Sequence, residues 1–597
     1  MCGVFATTRP DLWGAHMTAL AAAMHHRGPD GGGAWNSEDG AVTLCHSRLS
    51  IIGLGSEGAQ PLVRPGGQAL TYNGEVYNYR GLSFGLDGLA ARSDTQTILQ
   101  LIERDGLVAL QRLRGMYALA HWDPATRRLS GVRDPWGIKP LYLLDHPGGG
   151  VSLCSEITPL LLLPEARRVD RIGLANYVAF GHSGPMLTCY QHIRKLAPGV
   201  VYSWTVDETG STDLTTHRIE QARPAQLVSL EVAVQDSVRA HLVADVEVGV
   251  FLSGGVDSTL IAAVARQWVP DLRAFTIAFP ELRAIDESAL ARANAAALGI
   301  RHETFEVRAA DMVASLELFL RGSGEPFGDA AALPLTALSM HVGRQMKVVL
   351  TGEGADEMLG GYGRYRISRW LPRHPTPGVA RLGEWLADNV SDRRSDRPRG
   401  RALEALLRSG GARSHGSLLG MELHALETHS DVGTQVDRLL RTDWEALIGG
   451  ARGREAARRF DLFRWLPNVY LEKTDRATMA GGLEARTPFL DPAVALSAEA
   501  PGREFGKGAL VAELRRLCPN VSLPDRKKGL AVPVNLLLGA GLQQDLDRAL
   551  RSEHSLLAKL YGRECVDAFS VRVKRSPTMA YRLAVLGRWE ANFDVRT

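Results

Sequence analysis

The chain opens MCGVF, with a cysteine directly behind the initiator methionine. A small second residue generally permits removal of that methionine, which would make Cys2 the amino-terminal residue. A terminal cysteine carries a thiol and an α-amine on neighbouring atoms. The amine's ordinary pKa is roughly 7.7–8.0, so near neutrality it can take a proton from the thiol. A nucleophile with a built-in base suits acyl transfer through a thioester. A second chemical signal is FLSGGVDS, residues 251–258. Gly254 and Gly255 let backbone N–H groups converge, Ser253 and Ser258 add hydroxyls, and the start of a helix adds positive potential, so the loop suits phosphate. It lacks the lysine of a Walker A loop, which argues against simple γ-phosphate transfer. Asp257 sits inside the loop instead, and a carboxylate beside phosphate calls for a divalent cation between them, the mixed coordination that Mg²⁺ prefers. A later run, KVVLTGEGADEMLGGYGRY (347–365), brings Glu353 and a second candidate Mg²⁺ ligand, Asp356, after another apolar stretch.

The elements that must position these groups follow from periodicity. Up to about residue 205, short apolar runs such as AVTLCHSRLSII, QALTYNGEVYNY, MYALAHWD and VSLCSEI are separated by Gly, Pro and Asn. They read as strands, with TQTILQLIERDGLVALQRL the clearest helix. The polar stretch 206–225 reads as a linker. Beyond it, strand and helix alternate: VEVGVFL, STLIAAVARQWV, LRAFTIAF, DESALARANAAALGI, RHETFEV and MKVVL. That alternation predicts a doubly wound parallel sheet, which binds ligands at the carboxyl ends of its strands. The last third reads as mostly helical. Two domains result, 2–205 and 226–597.

Bulk properties exclude several classes. The chain has 597 residues, too many for one core. With 45% hydrophobic and 23% charged residues and a formal charge of +3, it is ordinary globular material, with no general attraction for nucleic acid or an anionic membrane. Six cysteines without a CxxC pair argue against a disulfide framework or zinc site and suit a reducing cytoplasm. No signal peptide or membrane span is evident. The arginine-rich stretch 364–413 is interspersed with acids and reads as a solvated helical surface.

Taken together, the motifs resemble the glutamine-dependent asparagine synthetases. FLSGGVDS resembles the pyrophosphate loop of the ATP pyrophosphatase class. HRGPDGGG, RLSII, YNGEVYNY, SDT, GMYALA and RDPWGIKPLY resemble the family's N-terminal-nucleophile glutaminase domain, and GEPFGDAAALP and TDRATMAGGLEARTPFLD its synthetase domain. The resemblance implies an αββα sandwich followed by the ATP pyrophosphatase sheet. It makes Cys2 the nucleophile, Asn73 and Gly74 the oxyanion hole, and Arg48, Asn73, Glu75 and Asp94 the glutamine-binding residues. Backbone groups at Leu252, Ile277 and Gly352, together with Ser253, Gly254, Gly255, Asp257, Ser258 and Glu353, would hold ATP. Asp257 and Asp356 would hold Mg²⁺, and Lys527, with Lys528 as its rival, would stabilise the adenylating transition state. Ammonia would pass by an internal tunnel to an acyl-adenylate, releasing AMP and pyrophosphate. Partners would be small molecules only, with a homodimer as the assembly to test.

Three departures leave the acceptor open between aspartate and a specialised-metabolite or polysaccharide carboxylate. The segment between Tyr79 and Ser93 is short, SDTQ replaces the family's SDTE, and Leu530 stands where an aromatic is common. An RNA-modifying pyrophosphatase is disfavoured by the near-neutral charge and by the lack of cysteine from 190 to 517.

Overall fold

The computed structural model describes residues 2–83, 92–207, 210, 212–220, 226–283, 285–365, 431–524, 532–573 and 576–596. Two six-stranded sheets build the amino-terminal half. The first runs, edge to edge, Ile193–Lys195, Tyr142–Asp145, Val151–Cys154, Gly3–Thr7, Thr43–Arg48 and Gly31–Asn36. The second runs Thr212–Arg218, Val200–Val206, Arg128–Arg133, Gly115–Asp123, Ala69–Val76 and Leu62–Val63. All these pairings are antiparallel.

The period-2 alternation of strand side chains makes this a four-layer structure. Val4, Ala6, Leu44, Ala118, Ala120 and Leu153 interdigitate between the sheets. Their neighbours Phe5, Cys45 and Leu144 face the other way, into a core shared with helices Met17–Met24 and Arg171–Phe180. Leu70, Tyr72, Leu119 and Val132 do the same on the second sheet, against helix Asp94–Asp105. Strands buried on both faces read as continuous apolar runs, which is why they stand out in the sequence.

The predicted linker is corrected at one point. Within 206–225 lies the strand Thr212–Arg218, paired with Val200–Val206 over seven positions. It is an edge strand exposed along nearly its whole length, so its sequence TDLTTHR shows no apolar alternation. Polar edge strands are also the ones that resist unwanted pairing.

The second half centres on a five-stranded parallel sheet ordered Arg301–Glu306, Arg273–Ala278, Val248–Phe251, Val348–Leu350, Glu484–Arg486. The chain winds outward from Val248–Phe251 to one edge, then restarts at Val348–Leu350 and winds to the other. The crevice therefore opens between those two central strands, paired Val250 to Leu350. Both phosphate-type loops leave from this point. The sequence reading missed the last strand, Glu484–Arg486, because three residues with two charges carry no strand pattern, yet all three are buried. The remainder is helical, and Pro577–Asn592 returns to the first half, where Tyr177 donates to the Arg582 carbonyl at 2.7 Å. No described helix is long and apolar enough to cross a membrane.

One buried acid holds the turn of RDPWGIKPLY. Asp134 is fully buried and accepts from the N–H groups of Tyr117 (3.3 Å), Trp136, Ile138 and Lys139 (3.0 Å each). Removing it strands four backbone donors. Asp134→Ala should lower stability by roughly 3–5 kcal/mol, read as a shift of the urea midpoint.

Candidate functional site

Cys2 precedes the strand Gly3–Thr7 and shares the parity of Val4 and Ala6, which face the sandwich interior. Across the interior, Ala69–Val76 carries Asn73 and Glu75. The Cys2 nitrogen donates to Asn73 Oδ1 at 2.8 Å, and its thiol lies 3.9 Å from the Leu49 carbonyl oxygen. Asn73 is fully buried, and its Nδ2 has no hydrogen-bond partner in the structure. A buried donor left open costs free energy. Its place beside the thiol gives it a use: it can receive an oxygen that becomes negative when the thiol attacks a carbonyl. The next residue must be glycine, since a Cβ at Gly74 would stand 2.0 Å from the Met116 carbonyl oxygen. Burial pushes the Cys2 thiol above its ordinary value, with the chain's amino terminus pulling the other way. A thiol held neutral needs a base to become a nucleophile.

The neighbouring groups are acidic and buried. Glu75 Oε1 lies 3.4 Å from Arg486 Nη2, and Glu75 Oε2 is buried without a hydrogen-bond partner. Burial pushes the Glu75 carboxyl well up; Arg486 opposes this, and Glu484 and Asp94 reinforce it. Asp94 opens helix Asp94–Asp105, whose cap is the Ser93 hydroxyl accepting from Gln96 N–H. Its carboxylate accepts from Tyr72 Oη (3.0 Å), Val76 N–H (3.2 Å) and Thr95 N–H (2.8 Å). Burial still lifts it to about 6 against those three donors. Two acids with raised affinity for a proton make a receptor for a small cation. Arg48 ends Thr43–Arg48 and donates to the carbonyls of Gly55 (2.8 Å) and Gly53. Gly53 in turn abuts Arg92 and Ser93, so Arg48 borders the Asp94 pocket. Thus Cys2, Asn73, Glu75 and Asp94 converge, with Arg48 at the rim.

The two halves meet on helix Leu471–Met479, buried at every position. Fully buried Arg27 donates to the Cys2 carbonyl (3.1 Å), Glu156 (2.8 Å) and Asp475 (2.9 Å). Lys195 pairs with Glu472 at 2.9 Å, and Arg476 reaches Glu325 (3.1 Å) and the Tyr142 hydroxyl (2.6 Å). On the same helix Lys473 Nζ lies 3.5 Å from Glu353, and Thr474 donates to Glu353 at 3.3 Å.

In the second half, the loop after Val248–Phe251 has Gly254 at φ +78° and Gly255 capping helix Val256–Ala265. Ser253 and Ser258 hydroxyls lie 3.1 Å apart, and Ser258 also accepts from Ser253 N–H. A Cβ on Gly352 would sit 3.0 Å from Asp257 Cβ, so this glycine lets the two loops touch. Leu252 N–H and C=O are both used within the sheet, by Phe275 (2.9 Å) and the Thr276 hydroxyl (2.5 Å). Ile277 lies in the adjoining strand, paired with Phe305. A cavity of 520 Å³ opens here, lined among others by Ser253, Asp257, Tyr362, Phe505 and Lys507.

Lys507 is a residue that sequence reasoning missed. Its ammonium lies 2.5 Å from Asp257 and 2.6 Å from Asp356, joining the two carboxylates assigned to Mg²⁺. A Cβ at Gly361 would collide with both Asp356 and the Lys507 side chain, a further sign of close approach. The only sequence signal was a lysine in EFGKGAL, far from either loop. The pair of acids does fit a divalent ion: they are drawn to one positive point, and Asp257 Oδ1 is buried without a hydrogen-bond partner. No cluster of three or more His, Cys, Asp or Glu able to hold a metal exists among the described residues. Phosphate and water would have to complete such an ion's coordination. Lys527, Lys528, Leu530, most of the shortened 80–92 segment and most of the arginine-rich stretch lie outside the described residues.

Comparison with known proteins matches both halves of the chain to known families. The asparagine synthase family matches residues 229–590, and the glutamine amidotransferase domain matches 1–216. A Mycobacterium tuberculosis protein provisionally named asparagine synthetase [glutamine-hydrolyzing] is 34% identical over 88% of this chain and 85% of its own length. Asparagine synthetase [glutamine-hydrolyzing] 1 of Bacillus subtilis is 29% identical over 85% of this chain and 82% of its own. Asparagine synthetase B of Escherichia coli is 30% identical over 61% of this chain and 63% of its own.

The Asp94 shift has a measurable sign. Its carboxyl titrates near 6 when folded and near an ordinary 3.9 when unfolded, so folding favours the protonated form. That contribution is fully present below about pH 4 and is lost as pH rises through about 6. Asp94→Asn cannot titrate, so the stability difference between variant and parent should change by about 2–3 kcal/mol between pH 4 and 6 and be flat above. Urea midpoints across that range decide it.

Proposed function

The chain belongs to the asparagine synthase family, is an ATP-dependent glutamine amidotransferase, and, we propose, transfers glutamine nitrogen to the side-chain carboxylate of aspartate. The observation that carries the reading is a continuous set of buried contacts from the thiol to the nucleotide crevice. Cys2 O meets Arg27, Arg27 meets Asp475, and the residues before Asp475 on the same helix meet Glu353. The two chemistries share one wall.

In the first half, the α-amine of processed Cys2 takes the thiol proton, and the sulfur attacks the glutamine side-chain carbonyl. Asn73 Nδ2 and Gly74 N–H receive the developing oxyanion, a role worth about 3–4 kcal/mol per donor in comparable sites. Ammonia leaves as the thioester forms, and water later releases glutamate. Glu75 and Asp94 take the glutamine α-ammonium, and Arg48 takes its carboxylate, for which a planar guanidinium fork is suited.

In the second half, the SGGVDS loop and Glu353 hold ATP, with Leu252, Ile277 and Gly352 shaping its adenine side. Lys507 balances charge between Asp257 and Asp356. Mg²⁺ held by those carboxylates would supply charge neutralisation for the departing pyrophosphate. The acceptor carboxylate attacks the α-phosphorus, pyrophosphate leaves, and ammonia displaces AMP from the resulting acyl-adenylate. Lys527 is assigned to the adenylation step. A closed route matters because free ammonia would be protonated in water and lose its nucleophilic lone pair.

Two variants separate the half-reactions. Cys2→Ala should abolish glutamine hydrolysis, by a thousandfold or more, yet form AMP and amide from ammonium salts at near the parent rate. Asp257→Ala should keep the parent's thermal midpoint within a few degrees, keep glutamine hydrolysis and make no AMP. Incubation with ATP, ammonium and a carboxylate panel, with AMP and amide quantified, tests the acceptor. Amidation of a different acid in preference to aspartate refutes that part of the reading and points to a specialised-metabolite substrate.

A further inference from the structure

Lys473 is nine-tenths buried, yet its ammonium makes only loose pairs, 3.5 Å from Glu353 and 3.7 Å from Asp329. Charge-assisted N–H···O bonds are normally about 2.7–2.9 Å. The ammonium also lies 5.4 Å from the centre of the Tyr470 ring. Both carboxylates are partly open to solvent, with side chains 29% and 30% exposed. A buried cation that touches neither anion closely, with two anions partly open, has room for something between them.

The anions are not equivalent. Asp329 is held by its other oxygen, Oδ1, which accepts from Ala331 N–H at 3.0 Å at the start of helix Ala332–Val342, so Oδ2 stays aimed at Lys473. Glu353 is tied to the lysine's own helix by Thr474. It also follows Gly352, which packs on Asp257 of the phosphate loop. The three groups therefore lie between the helix shared with the thiol site and the loops that hold the nucleotide. An acceptor carbonyl must occupy that place to meet both ammonia and the α-phosphorus.

We infer that Lys473 and Asp329 form the acceptor's specificity subsite, Lys473 binding an α-carboxylate and Asp329 an α-ammonium, while Glu353 keeps Lys473 positioned. The subsite takes an α-amino acid by its zwitterionic end and leaves the side-chain carboxylate toward ATP. This assignment rests on the aspartate reading above. Burial opposes the lysine's charge, but Glu353 and Asp329 outweigh it and keep the ammonium protonated. Inserting a zwitterion adds one charge of each sign, so the balance of the pocket is unchanged. A site built to pair both charges should reject analogues lacking either, because a buried group is then left without its partner.

The test uses the full-length protein with ammonium chloride as nitrogen source. Aspartate is compared with β-alanine, which lacks the α-carboxylate, and with succinate, which lacks the α-ammonium. Each analogue is assayed as an acceptor or, where turnover is too slow, as a competitor of aspartate. Lys473→Gln should lower kcat/KM for aspartate by ten- to a hundredfold while leaving β-alanine unchanged. Asp329→Asn should do the same for aspartate while leaving succinate unchanged. KM for ATP and the glutaminase rate should stay within twofold in both, and Lys473→Arg should recover most of the loss. Equal losses for aspartate and its analogues, or no loss, overturn the subsite while leaving aspartate as acceptor. Failure of the parent protein to amidate aspartate overturns the functional reading itself, and the subsite with it. If Lys473→Gln does not fold, the Asp329→Asn comparison decides alone.

Discussion

The buried guanidinium of Arg27 is the contact on which the arrangement turns. It is fully shielded from water and shared between Glu156 of its own half, Asp475 of the other half, and the carbonyl of Cys2. A buried charge is tolerable only when paired on several sides. Burial disfavours its charge, but Asp475 and Glu156 outweigh that and hold it protonated. The cation thus fixes the backbone of Cys2 and the helix Leu471–Met479 by one set of bonds. Lys195 and Arg476, paired with Glu472 and Glu325, extend the same logic along the helix. Apolar packing could join two halves as tightly, but it is non-directional. Directional ion pairs place a thiol and a nucleotide crevice on opposite sides of one helix in a fixed relation.

Topology supplies the rest. In the sandwich, parity along two facing strands brings Cys2 opposite Asn73 and Glu75. In the parallel sheet, the reversal between Val248–Phe251 and Val348–Leu350 brings two loops to one crevice though about a hundred residues separate them. The last strand, Glu484–Arg486, then lets one element serve both halves. Arg486 pairs with Glu484 at 2.6 Å and faces Glu75, while its carbonyl accepts from Thr351 N–H at 2.8 Å, just before the second loop.

Much of this was legible in the sequence, and the pattern of what was not has physical causes. Strands such as Thr43–Arg48 and Gly115–Asp123, buried on both faces, announced themselves by apolar runs. Thr212–Arg218, solvated on both faces, and Glu484–Arg486, buried but charged, did not, because periodicity reports a hydrophobic boundary and neither has one. Residues inside a compact local motif, Asp257 at the start of its helix and Asn73 on its strand among them, could be singled out from the motif that contains them. Lys507 and Lys473 could not. Their partners, Asp257 and Asp356 for one, Asp329 and Glu353 for the other, are distant in sequence. A lysine's meaning there is set only by what the fold brings beside it.

The placement of Lys507 bears on how the crevice receives its first guest. Two carboxylates beside the Gly254–Gly255 loop would by themselves raise a negative potential at the mouth and slow the approach of a polyanion. With the ammonium seated between them, one of the two negative charges is offset and that field is roughly halved. The tether is an unbranched chain of single bonds, so the head group can swing away from the acids toward an incoming anion. The resting pocket thereby carries its own exchangeable counter-ion.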